Sequence, residues 1–561
     1  MGSVGSLIPL FTAALLLLLA GCNRPQAVKP AAQVAPSYAA KFAYITEQAG
    51  LSFRQYHGGC GKYYFVEQIA AGAALFDANG DGYLDAYFPQ PQPLGKCEGK
   101  FKQPLHHRLY VNDGKGHFIF KPAAFGGVDT DYGIGASVGD YDNDGDGDLY
   151  VTCYGRNKLF RNRGNGTFED ATKQAGVGLT GMSTSSVWFD YDKDGYLDLY
   201  VARYCEWSVA MDRSCSNEQG RKDVCSPLLY TPTRDALYHN NGNGTFTEVS
   251  KQAGVAGTKR RGLGVAALDV NDDGKLDLFV ANDISPNYLY INQGQGKFRD
   301  MAMQTDVAYG LAGHALANMG VAVGDYNDDS KLDLLVTVFE QQGYTLYRNN
   351  GLDFTNVSGT TGIFQATLPY LAFGTGFVDS RNNGQLDVFF ANGHVSPSSK
   401  FQDPRTAYKQ RNQLMLNNGK GSFVDTPAAL PKDDVRVHRG AAFGDIDNDG
   451  RVDILVTASD DQPTLLHNQS QAGNWLLLKL INKQGCVTPV GARCIATIQG
   501  KKRLRVVLGG GSYAGESDHR VHFGLGSADK VERLEIQWLS GRKQVLENVS
   551  ANQILTVKEG K

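Results

Sequence analysis

Asp140-Tyr-Asp142-Asn-Asp144-Gly145-Asp-Gly-Asp148-Leu-Tyr-Val151 is the stretch whose reading decides the fold. Carboxylates stand at its positions 1, 3, 5 and 9, a glycine at position 6, and an apolar, β-branched run follows at once. The pattern returns as Asp77-Ala-Asn79-Gly-Asp81-Gly82-Tyr-Leu-Asp85 and as Asp190-Tyr-Asp192-Lys-Asp194-Gly195-Tyr-Leu-Asp198. It returns again as Asp269-Val-Asn271-Asp-Asp273-Gly274-Lys-Leu-Asp277 and as Asp325-Tyr-Asn327-Asp-Asp329-Ser330-Lys-Leu-Asp333. The last two copies are Asp379-Ser-Arg381-Asn-Asn383-Gly384-Gln-Leu-Asp387 and Asp445-Ile-Asp447-Asn-Asp449-Gly450-Arg-Val-Asp453. The seven copies start 50 to 79 residues apart, a period that signals an array or a propeller.

Such a loop has the chemistry of a hard-cation site. Calcium takes six to eight oxygens, alternate residues of a tight turn point inward, and a glycine lets the chain bend sharply. Magnesium demands stricter geometry and keeps more water, so calcium is the expected ion, held structurally in several loops. An EF-hand would need Glu at position 12 and a following helix; position 12 here is Phe88, Val151, Val201, Val280, Phe390 or Val456, within strand-like runs. The second, third and seventh copies have Asp at all four side-chain positions. The fifth has Ser330 where glycine belongs, and the sixth has Arg381 where an oxygen is needed, so the sixth is expected to bind weakly or not at all, its guanidinium standing in for the ion.

Five residues before each loop stands Gly72, Gly135, Ser185, Gly264, Gly320, Gly374 or Gly440, a small residue fit for a crowded innermost strand. After each loop comes Leu-x-x-Asn, beginning at Leu109, Leu159, Leu237, Leu289, Leu346, Leu414 and Leu465, and usually leading into an Asn/Gly turn and Phe. Asn-Gly between strand-like runs marks a hairpin, which gives four strands per repeat, one propeller blade. The seventh repeat lacks its outermost strand, and Phe42-Ala-Tyr-Ile-Thr-Glu-Gln-Ala-Gly50 matches the missing piece, so residues 42 to 53 are expected to close the ring. The expected fold is all-β: a seven-bladed β-propeller over 41–470 and a small all-β domain over 471–561, where period-2 alternation and Gly turns resume.

The repeats resemble the FG-GAP/VCBS repeats of integrin α-subunit-type propellers. Gly491-Ala-Arg493, Phe523-Gly-Leu-Gly526 and Trp538-x-Ser-Gly541 resemble the ASPIC/UnbV domain that follows such propellers in the cartilage acidic protein family. The resemblance implies calcium ions set into the blades. Leu539 stands where that family commonly has Pro, and the segment before Gly491 holds Cys486 in place of the usual polar turn.

Residues 1–22 read as a signal peptide, with Leu7 to Ala20 apolar apart from Thr12 and too short to span a bilayer. Leu19-Ala20-Gly21-Cys22 looks like a bacterial lipobox, with Cys22 lipidated and residues 23–40 a flexible tether. An exported chain lipid-anchored in the cell envelope is expected. The eight remaining cysteines favour disulfides: Cys215–Cys225 and Cys486–Cys494 close short local loops, and Cys60–Cys97 and Cys153–Cys205 follow by elimination.

A formal charge of −3 and no basic stripe argue against nucleic acid. The expected function is a binding, adhesion or scaffold role toward a protein or glycan of the envelope, with the membrane engaged only through the lipid. The inserts Cys205 to Thr233 and Gly393 to Gln413 are the candidate contact elements. The alternative is a lyase- or dehydrogenase-type enzyme with a site at the channel mouth, where Glu67, Arg260, Arg261, His314, Asn318, His438 and Arg439 are candidates. No Ser/His/Asp order, Gly-rich phosphate loop or paired-His motif supports chemistry, so the chain reads as a non-enzyme.

Overall fold

The computed structural model describes residues 39–70, 72–94, 105–127, 131–399 and 406–560. Cys22, the leader and most of the tether lie outside these residues, as does Cys97. No helix among the described residues is long and apolar enough to cross a membrane.

The described residues form an all-β molecule with propeller-like sheets. Seven antiparallel four-strand repeats follow one another along the chain, each with its first strand innermost; the second and third join into one eight-stranded sheet where residues 180–182 pair with 154–156, and Gly509–Gly510 adds a fifth strand to the fourth. The innermost strands are Ala74–Phe76, Tyr132–Gly139, Thr180–Phe189, Gly262–Leu268, Asn318–Gly324, Ala372–Val378 and His438–Gly444. Each packs beside the next, and the last packs beside the first, so the sheets form a closed cycle. Phe42–Tyr44 pairs antiparallel with Thr464–Asn468, giving the last sheet its outer strand. This N-terminal strand removes the open edge that the seventh repeat would otherwise leave.

The carboxylate loops connect first and second strands, and their ninth residue opens the second strand. Asp148 lies opposite Gly139, Asp198 opposite Phe189 and Asp453 opposite Gly444, the residue just before each loop. Loops of this length need a sharp bend, and Gly145 supplies it at φ 96°. Ser330 holds the same position of the fifth loop at φ 67°, in a region that side chains enter only at a cost.

From Asn474 a second β unit begins. Asn474–Ile481 pairs antiparallel with Val521–Gly526 and parallel with Gln553–Lys558. Arg493–Ile498 lies between Lys501–Val506 and Lys530–Gln537, and Lys543–Ser550 completes that sheet. Its apolar residues do not make a separate core: Leu476, Leu478, Val490 and Ile536 share one buried cluster with Val187, Phe189, Leu278 and Val280 of the ring.

This unit also fills the axis of the ring. Residues 509–518 thread among the seven innermost strands and bond to every one of them. Gly511 donates its N–H to the Val265 carbonyl at 2.9 Å, and the Ser512 carbonyl accepts from Val321 at 2.9 Å. The Thr375 N–H meets Ser512 Oγ at 3.3 Å and the Ala514 N–H meets Ser185 Oγ at 3.0 Å. Ala136 and Leu75 donate to the carbonyls of Ala514 and Glu516 at 3.1 Å each, and Asp518 donates to that of Phe443 at 2.9 Å. A Cβ on Gly72 would stand 1.8 Å from the Ala514 carbonyl oxygen, so the small residue at that register makes room for this segment as well as for neighbouring strands.

Candidate functional site

The loops are ordered by their own carboxylates. Position 1 accepts from the backbone N–H of position 6 in every copy: Asp77 from Gly82 at 3.0 Å, Asp140 from Gly145 at 3.2 Å, Asp190 from Gly195 at 3.0 Å and Asp269 from Gly274 at 2.8 Å. Asp325, Asp379 and Asp445 accept from Ser330, Gly384 and Gly450 at 2.9, 2.6 and 2.7 Å. Position 9 is buried and accepts from the backbone N–H of the Asn in Leu-x-x-Asn, as Asp148 does from Asn162 at 2.8 Å and Asp277 from Asn292 at 2.7 Å. Burial pushes this ninth carboxyl up, to about 7 at Asp85 and Asp198 and to about 8 at Asp277 and Asp333. A carboxylate so placed ionises at neutral pH when a cation compensates it.

The donor set fits a hard divalent ion best in the three all-Asp copies. Ligand atoms of Asp140, Asp142 and Asp148, of Asp190, Asp192 and Asp194, and of Asp445, Asp447 and Asp453 lie within 4.8 Å of one another. Asp142 Oδ1 and Asp447 Oδ1 are buried without a hydrogen-bond partner among the described residues. These same copies carry a basic residue just before the third-strand Asn that reaches the loop carboxylates; the fifth copy also has a basic residue there, Arg348, which bonds to Asn350. Arg161 reaches Asp142 and Asp144 at 2.8 and 3.0 Å, His239 reaches Asp198 at 3.2 Å, and His467 reaches Asp447 at 3.1 Å. In the first, fourth and fifth copies the position-3 amide turns inward instead: Asn79, Asn271 and Asn327 donate to Asp81, Asp273 and Asp329 at 2.9, 3.2 and 3.0 Å. The basic partners were missed in reading the sequence, although a His or Arg before that Asn in each all-Asp copy was the visible signal.

The sixth loop carries an internal cation of its own. Arg381, 1% exposed, places Nη2 2.8 Å from Asp387 Oδ1 and also donates to the Asn417 carbonyl at 3.1 Å. Burial raises Asp387 to about 6, with the guanidinium opposing that rise.

The second β unit covers this face. Val487 donates to Asp140 Oδ2 at 3.0 Å, Arg503 pairs with Asp328 at 3.0 Å, Arg493 pairs with Asp272, and Arg520 donates to the Asp445 carbonyl at 2.9 Å.

The candidate channel-mouth residues do not form one group. Arg439 is fully buried and donates to the carbonyls of Gln68, Gly393, His438 and His394 at 2.8 to 3.3 Å; its side chain is a structural clamp. Arg261 donates to the carbonyls of Pro227 and Tyr230 at 3.2 and 3.1 Å, fastening the Cys205 to Thr233 insert to the fourth sheet. Arg260 packs its guanidinium over Tyr288, 3.8 Å from the ring centre. Asn318 donates to the Asn282 carbonyl at 3.2 Å, His438 lies buried beside Asp434 at 3.4 Å, and His314 is exposed. Glu67 and Arg439 line one cavity of about 260 Å³; the other five do not.

Of the disulfides, Cys215–Cys225 forms, with Cα atoms 5.3 Å apart, and Cys60 is disulfide-bonded. Cys486–Cys494 and Cys153–Cys205 do not form; all four are free and buried. Cys494 pairs opposite Ile536 and Arg505 inside a sheet, while Cys486 packs against the Asp140 carbonyl at 3.7 Å. Cys153 and Cys205 belong to separate hydrophobic clusters. Short sequence separation identified Cys215–Cys225 but not a Cys486–Cys494 bond, because the Cys486 loop reaches out to the ring.

Residues 483–561 match the ASPIC and UnbV family, and residues 140–201, 217–280, 269–336 and 404–456 match the FG-GAP-like repeat. Cartilage acidic protein 1 of Xenopus tropicalis is 27% identical over 291 residues, covering 50% of this chain and 42% of the relative. The Mus musculus protein of that name is 24% identical over 359 residues, covering 63% of this chain and 43% of its own. The chain thus spans less than half the length of these curated relatives. Among solved structures, an Agrocybe aegerita lectin that recognises non-reducing terminal N-acetylglucosamine is 16% identical, with a TM-score of 0.38 over 64% of this chain and 79% of its own. The V. cholerae biofilm matrix protein Bap1 is 11% identical, with a TM-score of 0.31 over 91% of this chain and 76% of its own. Neither structural likeness is close enough to carry an argument.

Proposed function

We propose that this chain of FG-GAP-like repeats with an ASPIC/UnbV domain is a seven-bladed, calcium-binding recognition protein of the cell envelope, exported and tethered through a lipid on Cys22. The FG-GAP-like repeats support a binding or adhesion role. Calcium in the loops of Asp140, Asp190 and Asp445, and more weakly in those of Asp77, Asp269 and Asp325, would hold the carboxylates ionised and the repeats stiff.

The observation that carries the reading is that two of the three surfaces a propeller uses are taken by the chain itself. Residues 509–518 occupy the axis, and the second β unit covers the carboxylate face. The opposite face remains, where the insert from Cys205 to Thr233 exposes Val209, Met211, Leu228 and Leu229. Trp207 anchors that insert by donating to Asp212 at 2.8 Å and packing on Tyr154 at 4.9 Å, so its apolar residues are presented on a fixed base. The catalytic alternative finds no support, since Arg261, Arg439 and His438 are held by internal contacts.

The test is deletion of Met211 to Cys225 in the full chain, followed by capture of partners from envelope extract with calcium and with chelator. Loss of a calcium-dependent partner on deletion supports the reading; an unchanged capture profile removes the insert from it.

A further inference from the structure

The insert face has a depression floored by Leu263, Met319 and Phe373 of three innermost strands, with Tyr513 of the axial segment in contact with Phe373. Tyr513 donates its hydroxyl to the Ile69 carbonyl at 2.7 Å, and its ring meets Phe373 edge-on at 4.8 Å. Above this floor the insert and the loop after Gly393 leave a cavity of about 390 Å³, which abuts the 260 Å³ cavity beside Glu67; Gln68, Val224 and Val395 line both.

The larger cavity combines two kinds of wall. Tyr204, Phe339 and Phe373 supply aromatic surface, and Asp223, Asp283 and Gln342 supply polar groups. Gln68 adds the observation that points to a ligand: it is 9% exposed, and its Nε2 is buried without a hydrogen-bond partner among the described residues. A buried donor left unpaired costs about 1–3 kcal/mol, and a ligand that accepts from it once the side chain turns toward the cavity recovers that cost. The carboxylates of Asp223 and Asp283 are acceptors, already taking Ser396 Oγ at 2.6 Å and the Tyr204 hydroxyl respectively.

We propose that this cavity binds one or two rings of an uncharged saccharide, the end of a glycan chain. An anion would meet two buried carboxylates. A cation would leave the Gln68 amide unanswered. Hydroxyl groups both donate and accept, which suits carboxylates and amides side by side, while the C–H face of a sugar suits an aromatic wall. About 390 Å³ lies at the small end of ligand pockets, which limits the occupant to one or two rings. The inference rests on the reading of the insert face as a recognition surface and names its ligand class.

The experiment is saturation-transfer NMR on the full, calcium-loaded chain with a panel of neutral hexoses, 6-deoxyhexoses, N-acetylhexosamines and their disaccharides, beside putrescine and glucuronate. Transfer from protein aromatics to at least one neutral sugar is expected, with a dissociation constant of about 1 mM or tighter. Phe339→Ala and Gln68→Leu should each weaken it at least tenfold, with melting curves recorded so that an unfolded variant is replaced by Gln342→Ala at the cavity rim. Ile119→Ser, on the outer strand of the first sheet, should leave it unchanged. No transfer to any neutral sugar, or equal transfer to putrescine or glucuronate, overturns the inference. That outcome leaves partner capture by the insert standing or falling by its own test.

Discussion

Asn112 Nδ2 donates to the carbonyl of Ile446 at 2.7 Å, joining the first repeat to the seventh across 334 residues of chain. The same bond runs around the ring. Asn162 reaches Ala78, Asn240 reaches Tyr141, Asn292 reaches Tyr191 and Asn349 reaches Val270, at 2.8 to 3.1 Å. Asn417 reaches Tyr326 at 2.9 Å and Asn468 reaches Ser380 at 3.0 Å. The Asn of each Leu-x-x-Asn is thus a staple from one repeat's third strand to the preceding repeat's loop. Its own backbone N–H is held by that repeat's ninth-position Asp.

Asn112→Ala leaves two buried carbonyls, those of Ile446 and Leu84, without their donor. The expected loss is about 2–4 kcal/mol, read from urea unfolding. Asn292→Ala, which cuts an internal staple, should cost a similar amount, because every repeat is joined the same way.

Arg381→Met strips the cation from buried Asp387 and should cost about 3–5 kcal/mol in calcium and in chelator alike. Arg381→Asn restores the oxygen found there in other copies. It should be as unstable as the Met variant in chelator and partly recovered by added calcium, as differential scanning calorimetry would show.

Ser330→Gly relieves a left-handed residue, offset in part by the entropy that glycine loses on folding. A gain of about 0.5–1 kcal/mol is expected from urea denaturation. Calcium affinity of that loop should hold or rise.

Glu516 lies buried in the axial segment, and burial pushes its carboxyl up from 4.5 to about 8. The folded state therefore binds the proton more tightly than the unfolded state does. Between about pH 4.5 and pH 8 this group makes stability fall as pH rises. Glu516→Gln should flatten that slope and exceed the parent by about 1–3 kcal/mol near pH 8.5 in urea titrations.

The repeat, its strand order and the closing N-terminal strand were legible because each leaves a local mark: an Asp/Asn/Gly loop, a small residue at fixed distance, or a phrase ending Gln-Ala-Gly. The axial segment was not. Gly509-Gly-Gly-Ser-Tyr513 reads as a turn, and only the structure puts it among seven strands, where a glycine run fits between closely spaced backbones. The clamp roles of Arg261 and Arg439 escaped for a related reason. A charged residue ahead of a strand looks solvent-facing until the inserts that fold over it supply carbonyls. The free thiols show the same limit, since Cys486 packs on a ring residue 346 positions away.

Calcium counting on the dialysed full chain, by inductively coupled plasma mass spectrometry together with melting curves in calcium and in chelator, tests the account most directly. At least three ions per chain should be retained, from the loops of Asp140, Asp190 and Asp445, and chelation should lower the melting temperature by about 10 °C or more. Fewer than one ion per chain, with superimposable melting curves in the two buffers, would contradict it.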